Sequence, residues 1–283
     1  MMPGSNGNLN RRNIAIGLTI LGLIFIAALF AETLAPNDPS KASLEKRLSP
    51  PSMEYPFGTD QLGRCIFSRV LFGARISLGI GLVVVALSAI FGLLLGGAAG
   101  YYGGVLDEAL MRIVDGFLAV PSMFLALAVV GFLGPGIANI VLALVAVEWT
   151  SYARVARGEM LSLKEKEFLE AAHALGAGDI YIFTHHLLPN ALTPILVVAT
   201  LGIGYAILAA AGLSFLGLGM QPDVPEWGSM LNDGRLYLRT APHLMIFPGL
   251  AITVTVLAIN LVGEGVRDML DPRIKSRIKE EMV

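Results

Sequence analysis

Charge is what this chain has least of. Asp, Glu, Lys and Arg make up 15% of its 283 residues, against 55% hydrophobic residues and a mean hydropathy of +0.70. So little charge cannot clothe a water-soluble surface, and the solvent such a chain suits is lipid. A net charge of −2 without a long basic run excludes a general attraction to nucleic acid. The single cysteine, Cys65, excludes an internal disulfide. No Gly-Lys dipeptide occurs, so there is no Walker A loop to cradle a nucleotide's phosphates. Internal repeats and low-complexity segments are absent too.

What is present is a series of long apolar windows. A hydrocarbon core of roughly 30 Å takes about 20 helical residues. Windows of that kind fall at about 13–31, 76–101, 113–133, 137–153, 190–218 and 242–263. The run from 116 to 147 is too long for one span, and Gly134-Pro135-Gly136 divides it. The expectation is an all-α integral membrane protein with six transmembrane helices. With an inside N-tail (1–12), the segments 107–112, 154–186 and 264–283 also lie inside, and together these four hold 12 of the 20 basic residues. That bias predicts both termini inside, an extracytoplasmic loop at 32–75 and a large cytoplasmic loop at 154–189. Cys65 then lies outside, near the start of the second span, within reach of an impermeant maleimide. The first window exceeds a signal core of 7–15 residues, which predicts an uncleaved anchor.

One segment runs against the composition. "KEKEFLEAAHALGAGDIYIFTHHLLPN" (164–190) is polar and holds three of the four histidines. Phe168, Ala172 and Leu175 stand at i, i+4 and i+7, the spacing of one helix face. Gly176 supplies a left-handed C-cap, Asp179 an N-cap for a second short helix, and Pro189 marks the join to the next span. The result is two short helices about a glycine elbow. Small Ala171 and Ala172 leave a shallow face that another protein could approach closely. The same face could equally lie against the bundle or the lipid surface.

Glu170-Ala171-Ala172, Gly176 and Leu188-Pro189 match the EAA loop of the membrane subunits of bacterial ABC importers, with His186 where that pattern usually has an apolar residue. "FGTDQLGRCIFSRVLFGARISL" (57–78), "LSFLGLGMQPDVPEWGSML" (213–231) and "NLVGEGVRDMLDPR" (260–273) narrow the likeness. Across nearly its whole length the chain resembles the C-type permease of dipeptide, oligopeptide and nickel importers. The resemblance implies a type I importer bundle in a bacterial inner membrane. It also implies a homologous B-type permease beside the chain, two ATPase subunits on its coupling loop and an extracytoplasmic substrate-binding protein. The coupling residues would be Glu170, Ala171, Ala172, Gly176, Leu188 and Pro189. The chain would have no catalytic residue, cofactor or metal of its own, and ATP with Mg would sit on the partner ATPases.

Two departures bear on cargo. The family's Gly-Arg-Asp reads Gly63-Arg64-Cys65, and alanines at 209–211 stand where many peptide permeases have an acidic residue. A cavity without that carboxylate offers less to a peptide's amino terminus, which tilts the expectation toward nickel or a nickel chelate over a di- or oligopeptide.

Two rival classes remain. A secondary transporter would place ionisable groups or repeats at mid-membrane. Here Asp115, Glu148 and Glu264 read as interfacial anchors toward the ends of spans. A metal-dependent intramembrane hydrolase would need ligands such as His173, His185 and His186. Adjacent histidines on a helix diverge by about 100°, however, and no His-Glu-x-x-His occurs. Gly79-Ile80-Gly81 and Gly217-Leu218-Gly219 follow no strand and suit close helix packing better than a dinucleotide.

Overall fold

A computed structural model describes the backbone of residues 5–219 and 223–270 and the side chains of 12–219 and 223–269. Two parts of the matched motifs, 220–222 and 271–273, and most of the C-tail lie outside the described residues. Helix α1 (Ser5–Leu29) leads to a single turn, α2 (Ala31–Leu34). Then come α3 (Ile66–Tyr102), α4 (Gly104–Leu118), α5 (Ser122–Leu133) and α6 (Ile137–Lys164). Short α7 (Glu167–Ala174) and α8 (Asp179–Ile182) follow, and a π-turn at Phe183–Leu187 carries α8 into α9 (Leu188–Leu213). Last are α10 (Trp227–Gly234) and α11 (His243–Leu270).

Four helical segments are long and apolar enough to cross a membrane: Arg12–Leu29, Ile66–Tyr102, Asp179–Leu218 and His243–Met269. The window at 113–133 is not one helix. α4 and α5 meet at 90°, because Pro121 interrupts the chain and cannot supply the N–H that a continuous helix needs. Counted as one bent span, this pair makes a fifth. At 28 residues α6 is about 42 Å long. It falls short of those segments in apolarity, not in length. Within the segment 32–75, α3 already begins at Ile66.

The α3–α6 seam is built on small residues. Gly92, Gly96 and Gly100 recur every fourth residue of α3, so they share one face. A Cβ on Gly96 would collide with the backbone of Ala153, and one on Gly100 would stand 2.8 Å from the Arg157 carbonyl. Small residues at this spacing let two membrane helices approach closely. Gly96→Leu is expected to push α3 from α6 and destabilise the bundle by about 1–3 kcal/mol or more, read as a lower melting temperature in detergent. Of the other paired glycines, Gly81 abuts Ile207 of α9, whereas Gly79 faces open space.

Around that seam one apolar core joins α3, α5, α6 and α9 through Val84, Val130, Ile140, Leu144, Ile195 and Leu213. A second joins α1, α3, α10 and α11 through Ile66, Trp227, Leu244 and Ile252. Arg75 of α3 donates to the Leu29 carbonyl at 2.7 Å and pairs with Glu32, capping the end of α1 with charge.

Segment 35–65 has little regular structure and is held by a buried polar knot. Asp60 Oδ1 accepts the N–H groups of Leu62 and Arg64, both at 2.9 Å, while Oδ2 accepts Arg64 Nε at 2.7 Å and lies 3.7 Å from Arg69 Nε. Cys65 sits inside this knot at 1% exposure, so the maleimide label expected of it is blocked by packing. Glu226, also buried, caps α10 by accepting the N–H groups of Gly228 and Ser229 at 2.8 Å. Burial pushes its carboxyl up from the usual range, against the pull of those two bonds.

Candidate functional site

The polar segment folds where α3 ends, α6 ends and α9 begins. Tyr101, Met160, Leu163, Leu169, Ile182 and Leu187 make a small apolar core of their own there. Two tethers tie it to the bundle. Lys164 Nζ donates to the Tyr101 carbonyl at 2.9 Å, and the Tyr101 hydroxyl donates to Asp179 Oδ1 at 2.9 Å. Asp179 therefore works as a tether. Gly178 takes the cap position of α8, and no side chain caps that helix.

α7 ends in a Schellman turn. Gly176 N–H donates to the His173 carbonyl at 2.9 Å and Ala177 N–H to the Ala172 carbonyl at 3.1 Å, with φ at Gly176 of +81°. The left-handed glycine elbow is where the sequence placed it. At Pro189 the missing N–H frees a carbonyl one turn back, and the π-turn at Phe183–Leu187 accommodates the mismatch.

The three residues spaced as one face of α7 do not share one environment. Leu169 is buried and Ala172 half-buried against the local core, while Phe168 is 42% and Leu175 88% exposed. Phe168, Ala171 and Leu175 thus form an outward apolar strip at i, i+3 and i+7, and Ile180 of α8 adds to it at 75% exposure. Among the expected coupling residues, Glu170, Ala171, Gly176 and Pro189 are exposed, whereas Ala172 and Leu188 partly pack inward. Glu170 rims a recess of about 310 Å3 beside Lys164 and Asp179.

The histidines go separate ways. His173 Nδ1 lies 2.8 Å from the Leu169 carbonyl, His185 stacks on Tyr181 at 4.3 Å, and His186 sits beside Phe168. Among the described residues no three of His, Cys, Asp or Glu converge on a metal-sized site.

Ala209, Ala210 and Ala211 are all buried, Ala211 against Gly228 of α10.

Sequence reasoning took Glu148 for an interfacial anchor. It is the twelfth residue of the 28 in α6, about 17 Å from the helix start, so it stands in the helix interior and not near an end, where an interfacial anchor would be. Further along α6, Arg154 pairs with Asp115 at 2.7 Å, and Arg157 Nη2 with Asp107 Oδ2 at 2.7 Å, bridging to α4.

The described residues thus form an all-helical bundle with lipid-length segments and one short, exposed helix–glycine–helix unit seated on its end. The family model of the inner membrane component of binding-protein-dependent transport systems matches residues 92–276, and that of the N-terminal transmembrane domain of oligopeptide transport permease C matches 11–51. The dipeptide transport system permease protein DppC of Alkalihalophilus pseudofirmus is 46% identical over 95% of this chain and 88% of its own length. The glutathione transport system permease protein GsiD of Escherichia coli O6:K15:H31 is 48% identical over 89% and 84%. A putative peptide transport system permease protein of Brucella suis biovar 1 is 44% identical over 94% and 90%. Among solved structures, a chain of the inward-facing MetNI methionine ABC transporter covers 69% of this chain and 94% of its own, at 20% identity and a TM-score of 0.48.

The chain belongs to the family of inner membrane components of binding-protein-dependent transport systems, in the branch of C-type di- and oligopeptide permeases. It is a multi-pass permease subunit of an ABC importer.

Proposed function

We infer that this chain forms half of the translocation path of a peptide importer. A homologous B-type permease supplies the other half, two ATPase subunits dock on the segment 167–189, and an extracytoplasmic binding protein delivers the cargo. The chain hydrolyses no ATP itself. The observation that carries the coupling role is the exposed apolar strip Phe168, Ala171 and Leu175 beside the Gly176 turn, a surface left without a partner on an otherwise anchored unit. Closure of the ATPase pair would move this lever as a rigid body and turn the permease pair from inward- to outward-facing. Six spans with both termini inside remain the topology that the basic-residue bias favours.

For cargo, the relatives named above are permeases for dipeptides, peptides and glutathione. The lean to nickel rested on a carboxylate missing from a position that is buried in any case. A free peptide is therefore the favoured cargo. In a strain lacking the chain, uptake of labelled dialanine or glutathione is expected to fall and to return with the chain, while radioactive nickel uptake holds. Loss of nickel uptake alone would overturn the peptide reading.

A further inference from the structure

We propose that Glu148 is the point on the translocation path that receives the ammonium group of the cargo. This rests on the peptide reading above and names the residue that reading lacks.

The carboxylate stands halfway along a helix that is long enough to cross the membrane. It is only half-buried, and no cationic side chain pairs with it among the described residues. α6 packs along α3, a helix long and apolar enough to span, so a charge inside α6 is kept from hydrocarbon. Such groups turn to a water-filled cavity or a protein partner and mark solute pathways.

The surroundings supply the cavity. Glu148 lines a recess of about 360 Å3 in the angle between α4 and α5, closed by α6 and α9. Its walls carry Ser122, Ser151 and Tyr205 as polar groups and Phe117 and Pro121 as apolar ones. Ser122 Oγ and the Tyr205 hydroxyl hydrogen-bond at 2.6 Å, joining the start of α5 to α9 across the opening. The recess is within the size range of small-molecule sites, with a few polar groups set in an apolar wall.

The charge pattern selects the ligand. Along the same helix Arg154 and Arg157 are both matched by Asp115 and Asp107. Glu148 has no such partner and is the one charged residue lining the recess, so the recess carries a negative charge. One carboxylate with neutral hydroxyl neighbours is too few ligands to strip a divalent cation of its water. It suits an organic ammonium, which brings three N–H donors and needs one charged acceptor with hydroxyls beside it.

The test uses the complete importer in proteoliposomes, with its binding protein and ATP, and labelled dialanine and glutathione as probes. Co-purification of the ATPases reports assembly. With assembly intact, Glu148→Gln is expected to lower peptide uptake about tenfold, the scale of one lost charge-assisted hydrogen bond. Glu148→Asp, which keeps the charge, is expected to retain at least about a third of the wild-type rate. Wild-type rates in the Gln variant would overturn the proposal and leave the peptide reading standing. If the Gln variant does not assemble, the Asp variant decides: an assembled Asp variant below about a tenth of wild type would overturn it, since the charge would then have been kept without effect. A wild-type importer that takes up neither probe would overturn the peptide reading and this proposal with it.

Discussion

Ala171→Trp and Gly176→Val are expected to abolish ATP-driven uptake while the chain still inserts in the membrane at normal levels. The two changes act through different physics. Ala171 lies on the exposed strip of α7 and touches little of its own chain. An indole there would overpack the contact with the ATPase, at about 1–3 kcal/mol, which is roughly a 5- to 150-fold loss of docking. Gly176 has no atom within 4 Å of the position a Cβ would take, so space is not the obstacle. Its φ of +81° is, because a β-branched residue is strained there. Loss of that turn would redirect α8 and pull Asp179 from the Tyr101 hydroxyl. Uptake and ATPase co-purification measure both effects. Ala172→Trp belongs to a different class, since Ala172 packs on Leu169 and its neighbours and an indole there would disturb the chain's own core. Changing His173, His185 or His186 to Ala is expected to be gentle. Dead histidine variants beside active Ala171→Trp and Gly176→Val would sink the coupling assignment.

The largest effect on stability is expected from Asp60→Ala. Asp60 stands at 6% exposure between Arg64 and Arg69, which are exposed by only 2% and 1%. Its two oxygens accept two backbone N–H groups and the Arg64 Nε. Removing the carboxylate leaves buried guanidinium charge under-compensated, at a cost of about 3–5 kcal/mol. The effect spreads because Arg64 also reaches toward Asp233 of α10 at 3.8 Å and Arg69 donates to the Pro39 carbonyl, so one knot joins the 35–65 segment to α3 and α10. Little chain should reach the membrane, and what does should melt early in detergent. Asp60→Asn, which keeps an acceptor but not the charge, should fall between. Normal melting of the alanine variant would show that the charges are compensated elsewhere.

These features were unequally legible in the sequence. The glycine elbow was readable because a Schellman turn is local: Gly176 and the helix before it settle the geometry within six residues. The long apolar helices were readable for the same reason. The 90° bend between α4 and α5 was also local, and Pro121 signalled it, but hydropathy averaged over the window hid a single proline. Which face of α7 turns inward was left open by the sequence. Phe168 and Leu169 are both apolar and only 100° apart, and which one turns inward depends on where α6 and α9 stand. Glu148 and the alanines at 209–211 are the nonlocal cases. Whether a carboxylate faces a cavity, or an alanine faces Gly228, follows from how helices distant in sequence pack. A helix interior that keeps a lone carboxylate among apolar residues was still a signal, and its count of residues from the helix start would have placed it away from either helix end.

The central claim is that force enters this permease through the exposed strip of α7. It is tested most directly by cross-linking in the intact importer, with Cys65→Ala as background and a maleimide–benzophenone reagent, which attaches to the introduced thiol and inserts on illumination into a C–H bond of whatever lies beside it. Ala171→Cys is expected to link to an ATPase subunit, and Met53→Cys, fully exposed in the segment before α3, is expected to give no such link. An Ala171→Cys importer that transports normally yet never links to an ATPase, while Met53→Cys does, would contradict both the coupling role and the topology.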